Sequence, residues 1–528
     1  MKHLAYLNSV FIAVILLFFC VSLQTYLYAQ TINVYPGAEN TFFDIVKTVK
    51  PGDTVLFHDG TYIERNRIEI TTVGGTKEKP IVFKSANPQG AKIVFDLGKS
   101  WGRIYVTVPY INIEDFEITQ IKKANPTPND PNPTWNHILT FYKDLTEGAP
   151  EDKGGHHCRV RGNVIHNGYE EAIKTHLVND IIIENNYIYD FTHDGIDCTP
   201  ANSSIIRNNH LYNIGRVHIL VKYLDPKDNL IYGNYIHNDT VQMTGGGYGI
   251  VLGGSSPPGS PVQARNSVAF NNIIVSESPG LIERPLAIIS GIDCGFYNNV
   301  VIGTKHGMFT LQTDTVVVNP TFKNNIFYNI QDEVALFSGI GSGLTTDHNL
   351  YYNAPNPPLE ERGIYDVDPQ FIDPMRDWHV RDSSPVIDAG TQWSFKTLAG
   401  EIIDVAFDFA NEVRTGPWDI GAYEFKRPSI PANRCVDEEL LTSINEEILN
   451  EQILQVAGQN IQYSLSSPSH VQIKIYNTMG QFVKELVNEK HAEGVYKIAY
   501  GNENLPKGIY LCLMMIENDH IAKKFLVH

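Results

Sequence analysis

An asparagine-marked repeat constrains this chain more than any other feature. It runs through GNVIHN at 162–167, NNYIYD at 185–190, NNHLYN at 208–213, GNYIHN at 233–238, NNIIVS at 271–276, NNVVIG at 298–303, NNIFYN at 324–329 and HNLYYN at 348–353. With Asn163, Asn186, Asn209, Asn234, Asn272, Asn299, Asn325 and Asn349 as the register, the steps are 23, 23, 25, 38, 27, 26 and 24 residues. A period of this length marks a solenoid. Each unit holds a short apolar strand, the Asn turn, a second apolar strand and a variable turn, too little to bury a core alone, so successive units stack. Stacking lets the Asn side chains hydrogen-bond from coil to coil as a ladder. The expected fold is all-β, a parallel β-helix.

The ends and the charge narrow the class. Residues 1–30 carry Lys2 and His3, an apolar run from Val10 to Val21 and a small residue, Ala29, a pattern that reads as a secretory signal peptide. The five cysteines beyond Cys20 (Cys158, Cys198, Cys294, Cys435 and Cys512) are scattered and odd in number, so no disulfide framework or Cys-x-x-Cys metal pattern is expected. A net charge of −18 argues against a nucleic-acid partner and keeps an exported, monomeric protein soluble.

The solenoid is expected over 31–425. Its N-terminal end is covered by an amphipathic stretch, Phe42 to Val49, and strands follow at 67–72, 80–84, 91–95, 104–107 and 110–118. Two insertions interrupt the register: a Pro-rich, charged one at about 121–157, and GGGYGIVLGGSSPPGSPVQ within the 38-residue step. From 347 to 425 the repeat decays into DVDPQFID, SSPVIDAGT and WDIGAYEF, a closing segment. A linker, 426–460, leads to a module at 461–528 that alternates as strands VQIKIYN, GQFVKELV, GVYKIAY, GIYLCLMMI and HIAKKFLVH, read as a small β-sandwich.

Both C-terminal segments resemble known families. The closing segment, with Asp388-Ala-Gly-Thr391, Arg414 and Asp419-Ile-Gly-Ala-Tyr-Glu424, looks like the portion that follows β-helices in proteins of the choice-of-anchor Q type, which implies architecture more than chemistry. The last module, with Tyr476-Asn-Thr-Met-Gly-Gln481, Leu505-Pro-Lys-Gly-Ile-Tyr510 and Lys523-Lys-Phe-Leu-Val527, resembles the C-terminal sorting domain of the type IX secretion system. That resemblance implies the type IX machinery as a partner, passage through the periplasm, and delivery to the outer cell surface or the medium.

Four consecutive coils align on the strand that follows each Asn turn: Glu171-Ala-Ile-Lys-Thr-His176, Asp194-Gly-Ile-Asp-Cys-Thr199, Val217-His-Ile-Leu-Val-Lys222 and Tyr248-Gly-Ile-Val-Leu-Gly253. Ile173, Ile196, Ile219 and Ile250 then form one inward column, and Thr175, Cys198, Val221 and Leu252 the next. Because side chains alternate across a strand, Lys174, Asp197, His176 and Lys222 point outward on one sheet. Lys174, His176, Arg216, His218 and Lys222 make this patch basic on an acidic protein, suited to a polyanionic sugar. Trp135 and Tyr223 are candidate platforms for sugar rings.

Leu220-Val-Lys222 followed by Asn229-Leu-Ile-Tyr-Gly-Asn234 resembles the lysine-bearing coil of β-helical polysaccharide lyases of the alginate and chondroitin lyase group, which implies a right-handed β-helix and β-elimination from a uronate. The resemblance implies Lys222 as the base, with Arg216, His218 and Lys174 neutralising the uronate carboxylate. The group also expects an Arg on the following coil, where this sequence has Leu252-Gly-Gly254, which leaves Arg216 or Ca²⁺ for the electrophilic role. Asp194, Asp197 and Glu171 offer the hard oxygen ligands that Ca²⁺ prefers. Asp194-Gly-Ile-Asp197 is also similar to one motif of polygalacturonase-type hydrolases, but the carboxylate pair those need one coil later is replaced by Gly215-Arg-Val-His218. A noncatalytic glycan-binding or adhesin-like surface protein is the remaining alternative.

Overall fold

The computed structural model describes residues 29–96, 102–121, 137–143, 153–239, 247–254, 262–313 and 317–426, and, toward the C-terminus, 454–457, 460–465, 468–477, 482–492, 494–499, 508–516 and 519–527. The expected signal peptide and Trp135 lie outside them. The chain divides into two compact units, Met1–Arg427 and Pro428–His528.

Among the described residues, the first unit winds through three long sheets in which every neighbouring pair is parallel. A first sheet of twelve strands runs from Thr31–Val34 to Thr345–Asp347, a second of twelve from Gly60–Glu64 to Ile364–Tyr365, and a third of ten from Ile68–Ile70 to Ala335–Phe337. One turn of the coil takes Arg159–Arg161 from the first sheet, Val164–Gly168 from the second and Ile173–His176 from the third. The fold is the parallel β-helix expected from the repeat.

The Asn register explains how the chain turns between the first and second sheets. The residue before each ladder position is left-handed: Gly162, Asn185, Asn208, Gly233, Asn271, Asn298, Asn324 and His348 have φ between 50° and 67°. Gly and Asn tolerate that region best, which accounts for the recurring Gly-Asn and Asn-Asn doublets. The second residue of each doublet is buried, and its Nδ2 donates to Oδ1 of the next ladder Asn at 2.9–3.1 Å, unbroken from Asn163 to Asn349. Glu360 closes the ladder, accepting from Asn349 Nδ2 at 2.8 Å.

Inside the coil, Ile104, Leu139, Ile173, Ile196, Ile219, Ile250, Leu286 and Met308 stack in register as one inward column. At the N-terminal end a short helix, Thr41–Ile45, packs Phe42 onto this core, and the Glu64 carboxylate accepts from the Phe42 amide at 2.7 Å. The segment expected as an insertion over 121–157 contributes the third-sheet strand of the coil begun by Ile111–Glu114 and Glu117–Gln120. Leu139–Tyr142 pairs with Ile104–Val106 on one side and Ile173–His176 on the other, because Leu139 and Phe141 supply the inward alternation that the surrounding polar sequence obscured.

The closing segment wraps back over the outside of the coil. Phe371, Trp378, Val386, Ile420 and Ala422 cover Ile273, Val275, Val300, Ile302, Ile326 and Leu350 on the second sheet, while Phe395, Val405 and Trp418 cover Leu230, Tyr232, Val268 and Phe270 on the first. Arg414 pins it down, donating to Asn271 Oδ1 at 3.0 Å and Gly421 O at 2.9 Å. The outer apolar cluster of the third sheet (Val217, Leu220, Val251, Ala287, Ile289 and Phe309) contains no residue from this segment.

The second unit is a β-sandwich of two antiparallel sheets around Ile461, Tyr463, Leu465, Val471, Ile473, Ile475, Val487, Tyr510, Cys512 and Met514. Its first described strand, Leu454–Ala457, precedes the module expected from 461 and pairs antiparallel with Asn460–Leu465. Among the described residues no helix is long and apolar enough to cross a membrane. The described cysteines (Cys158, Cys198, Cys294 and Cys512) are free and buried.

Candidate functional site

The site stands on the outer face of the third sheet. Thr140, Lys174, Asp197, Leu220, Val251, Ala287 and Phe309 form one outward column, each directly paired with the next. The charged members belong to two successive coils, and the column is apolar from Leu220 onward. Beside it, Tyr142 pairs with His176, and Thr199 and Lys222 follow on the next two coils.

Asp197 is 1 % exposed and is held from three sides. Lys174 donates to its Oδ2, Thr199 to its Oδ1, and Lys222 Nζ lies 3.8 Å from Oδ2. Burial opposes the Asp197 charge, but Lys174 and then Lys222 outweigh it, so its pKa lies below the ordinary carboxylate value. Burial likewise opposes the Lys174 charge, and Asp197 followed by Glu171 outweighs it, so its pKa is raised and Lys174 is a fixed cation.

Asp194 is fully buried one turn of strand away, at the corner leading into the sheet. Arg216 grips both its oxygens, with Nε at 2.8 Å from Oδ1, and the Val217 amide donates to Oδ1 at 3.1 Å. Burial dominates here and raises the Asp194 pKa despite Arg216. Glu171, 4 % exposed, contacts His137 through Oε2 and lies 3.3 Å from His193 Nδ1 through Oε1. Burial opposes the Glu171 charge, yet the two imidazoles hold its pKa well below the usual range. His193 also lies 3.5 Å from Asp194 Oδ2.

His176 is half-buried, with its ring stacked on Tyr142 at 4.4 Å between centroids. Burial, then the neighbouring Lys174, lower its pKa, so the imidazole is neutral near pH 7. Burial raises the Tyr142 pKa and keeps that hydroxyl protonated.

Of the residues singled out from sequence, Glu171, Lys174, His176, Asp194, Asp197, Arg216 and Lys222 meet on this face. Tyr223 follows Lys222 at a tight corner, with φ 79°. His218 is corrected. It is 0 % exposed, its Nδ1 lies 2.9 Å from Tyr248 O and its Nε2 2.9 Å from Asn238 Oδ1, and burial lowers its pKa to about 4. A sequestered, neutral imidazole cannot neutralise a substrate carboxylate. Of the oxygen trio expected for Ca²⁺, Asp197 is engaged by Lys174, Lys222 and Thr199, and the atoms that converge with Glu171 and Asp194 are those of His193. His137 and Tyr142 had no sequence signal, since both sit in the segment taken for an insertion. Other tyrosines of the coils stand away from this face: Tyr189, Tyr212 and Tyr235 are on the second sheet, and Tyr232 is buried under the closing segment.

Comparison with known proteins agrees with this architecture. Residues 151–283 match a family described as right handed beta helix region, and residues 446–528 match the secretion system C-terminal sorting domain. No curated protein matches the chain. Among solved structures, XylC in complex with xylose is 12 % identical, covers 75 % of this chain and 99 % of its own, and has a TM-score of 0.41. The A-module of an Azotobacter vinelandii mannuronan C-5 epimerase is 10 % identical over 60 % of this chain and 88 % of its own, with a TM-score of 0.34. An alginate lyase from Paenibacillus sp. str. FPU-7 is 14 % identical over 64 % of this chain and 98 % of its own, with a TM-score of 0.30. The sorting domain directs the protein to the outer surface or the extracellular space. The chain is a right-handed parallel β-helix followed by a type IX secretion C-terminal sorting domain.

Proposed function

We propose that this protein cleaves an acidic, uronate-containing glycan by β-elimination on the outer face of the third sheet. The observation that carries the reading is the buried charge there: Glu171, Asp194 and Asp197 are at most 4 % exposed under Lys174, His193, Arg216 and Lys222. Packing does not require such a cluster, because Leu220, Val251 and Ala287 fill the same column on later coils. Removing three carboxylates from water costs several kcal/mol each before pairing, and perturbed groups of this kind concentrate at functional sites.

The α-proton of a uronate is weakly acidic, so its carboxylate needs a cation before a base can act. Lys222 supplies it, since the close ion pair with Asp197 belongs to Lys174 and Lys222 stands off at 3.8 Å. His176 takes the proton. An imidazole already neutral near pH 7 needs no further deprotonation, so it replaces Lys222 in the role of base. The C–H electron pair becomes the new double bond, the glycosidic C–O bond breaks, and Tyr142 protonates the departing oxygen. Lys174 and Arg216, tied to Asp197 and Asp194, fix the field around the reacting carboxylate.

Ultraviolet absorbance of unsaturated chain ends tests this on uronate polymers. The parent chain produces the signal, while His176→Ala and Lys222→Ala lose it and keep the parental melting temperature. A second reading, hydrolysis, is favoured by one observation: on a single strand, burial pushes the Asp194 pKa up while lysines hold that of Asp197 down, the divergence that separates an acid from a base. Reducing ends without unsaturation would select it. Binding without either product would select a glycan-binding surface protein.

A further inference from the structure

We propose that Glu171, His193 and Asp194 form a site for a divalent cation of the zinc class rather than for Ca²⁺. One ligand atom from each side chain lies within 4.8 Å of the others. His193 Nδ1 is 3.3 Å from Glu171 Oε1 and 3.5 Å from Asp194 Oδ2. Ligands at about 2.0–2.1 Å from a tetrahedral ion stand about 3.3 Å apart, so the triad has the dimensions of such a shell.

A second observation points the same way. His193 Nδ1 is sequestered from solvent without a well-aligned hydrogen bond, and Glu171, 4 % exposed, meets His137 through Oε2 and leaves Oε1 facing that nitrogen. An imidazole nitrogen set between two carboxylates, at ion-pair distance from both, is placed to share a cation with them. His137 bears on the other oxygen of Glu171 and Arg216 on Asp194, the kind of outer contacts that orient ligands.

The donor set decides the metal class. Ca²⁺ takes six to eight oxygen ligands, whereas this shell centres on an imidazole nitrogen, and the third carboxylate, Asp197, is engaged by lysines. Three protein ligands leave a fourth position open. The ion deepens the cleavage reading, on which its role rests, by supplying a second positive charge beside Lys222 for a uronate carboxylate.

Binding is measured independently of turnover. The full chain, stripped with a chelator, is titrated with Zn²⁺, Co²⁺ and Ca²⁺ by calorimetry, with the visible absorption of Co²⁺ as a second readout. One Zn²⁺ or Co²⁺ per chain is expected, His193→Ala and Glu171→Gln weaken it roughly tenfold or more, and the exposed His379→Ala leaves it unchanged. Preference for Ca²⁺, or equal Zn²⁺ binding by His193→Ala and the parent, would overturn the proposal. Because His193 is partly exposed, its variant is expected to stay folded, and an unchanged melting temperature secures the comparison. Uronate cleavage by a chain that binds no ion removes this inference and leaves the cleavage reading. Ion binding without cleavage supports this inference and removes that reading.

Discussion

Lys222 Nζ lies 3.8 Å from Asp197 Oδ2, the same carboxylate oxygen that Lys174 holds from the preceding coil. Two ammonium groups on either side of one buried carboxylate make Asp197 the hinge of the site's electrostatics, and their unequal grip assigns them different work.

That inequality predicts a difference in stability. Asp197→Asn strands Lys174 without its counterion in a buried position and is expected to destabilise the first unit by about 3 kcal/mol or more. Lys222→Ala, at a partly exposed end of the network, is expected to cost less than about 1 kcal/mol. Urea denaturation of both variants checks this, and equal losses would contradict the assignment.

The base assignment predicts a pH profile. His176→Ala is expected to lower turnover by about 10² or more. In the parent, activity requires the neutral imidazole, whose pKa lies below 6.5, so kcat/KM holds steady as pH falls through 6.5 and drops only at lower values. An acid limb above 6.5 would remove His176 from this role.

The Asn ladder and the Ile column were legible in the sequence because both repeat at one fixed offset per coil, and a stacked register turns equal offsets into spatial columns. Lys174, Asp197, His176 and Lys222 were legible for the same reason. His218 was not. Strict alternation opposite Ile219 sends it outward, yet its ring is fully buried, where Tyr248 O and Asn238 from the second sheet receive its two nitrogens. His137 and Tyr142 were hidden by polar sequence on both sides of a four-residue strand, Leu139–Tyr142, too short to announce a period.

The ladder itself carries measurable stability. Asn209 Oδ1 accepts from the Asn186 amide at 3.0 Å and from Asn186 Nδ2 at 2.9 Å, so Asn209→Ala leaves buried donors unpaired and is expected to cost about 3 kcal/mol. Glu361→Ala, in an exposed turn, is expected to change stability by less than about 0.5 kcal/mol. Equal melting temperatures for the two variants would contradict the ladder's role.

Buried His218 predicts acid lability. Its folded pKa is about 4 against an ordinary 6.5, so between those values the unfolded chain binds the extra proton, and stability falls as pH falls through that window. The contribution from this one group is about 2 kcal/mol between pH 7 and pH 5. Denaturation midpoints at both values check it: His218→Gln should show a smaller drop than the parent, and an equal drop would place the lability elsewhere.

The most direct test of the central claim is the chemistry of the products. The secreted chain, incubated with alginate, pectate, ulvan and glycosaminoglycans, is expected to generate chain ends with the ultraviolet absorbance of an unsaturated uronate on at least one polymer, in equal number to new reducing ends. New reducing ends without that absorbance, or no new ends on any uronate polymer, would contradict β-elimination at this face.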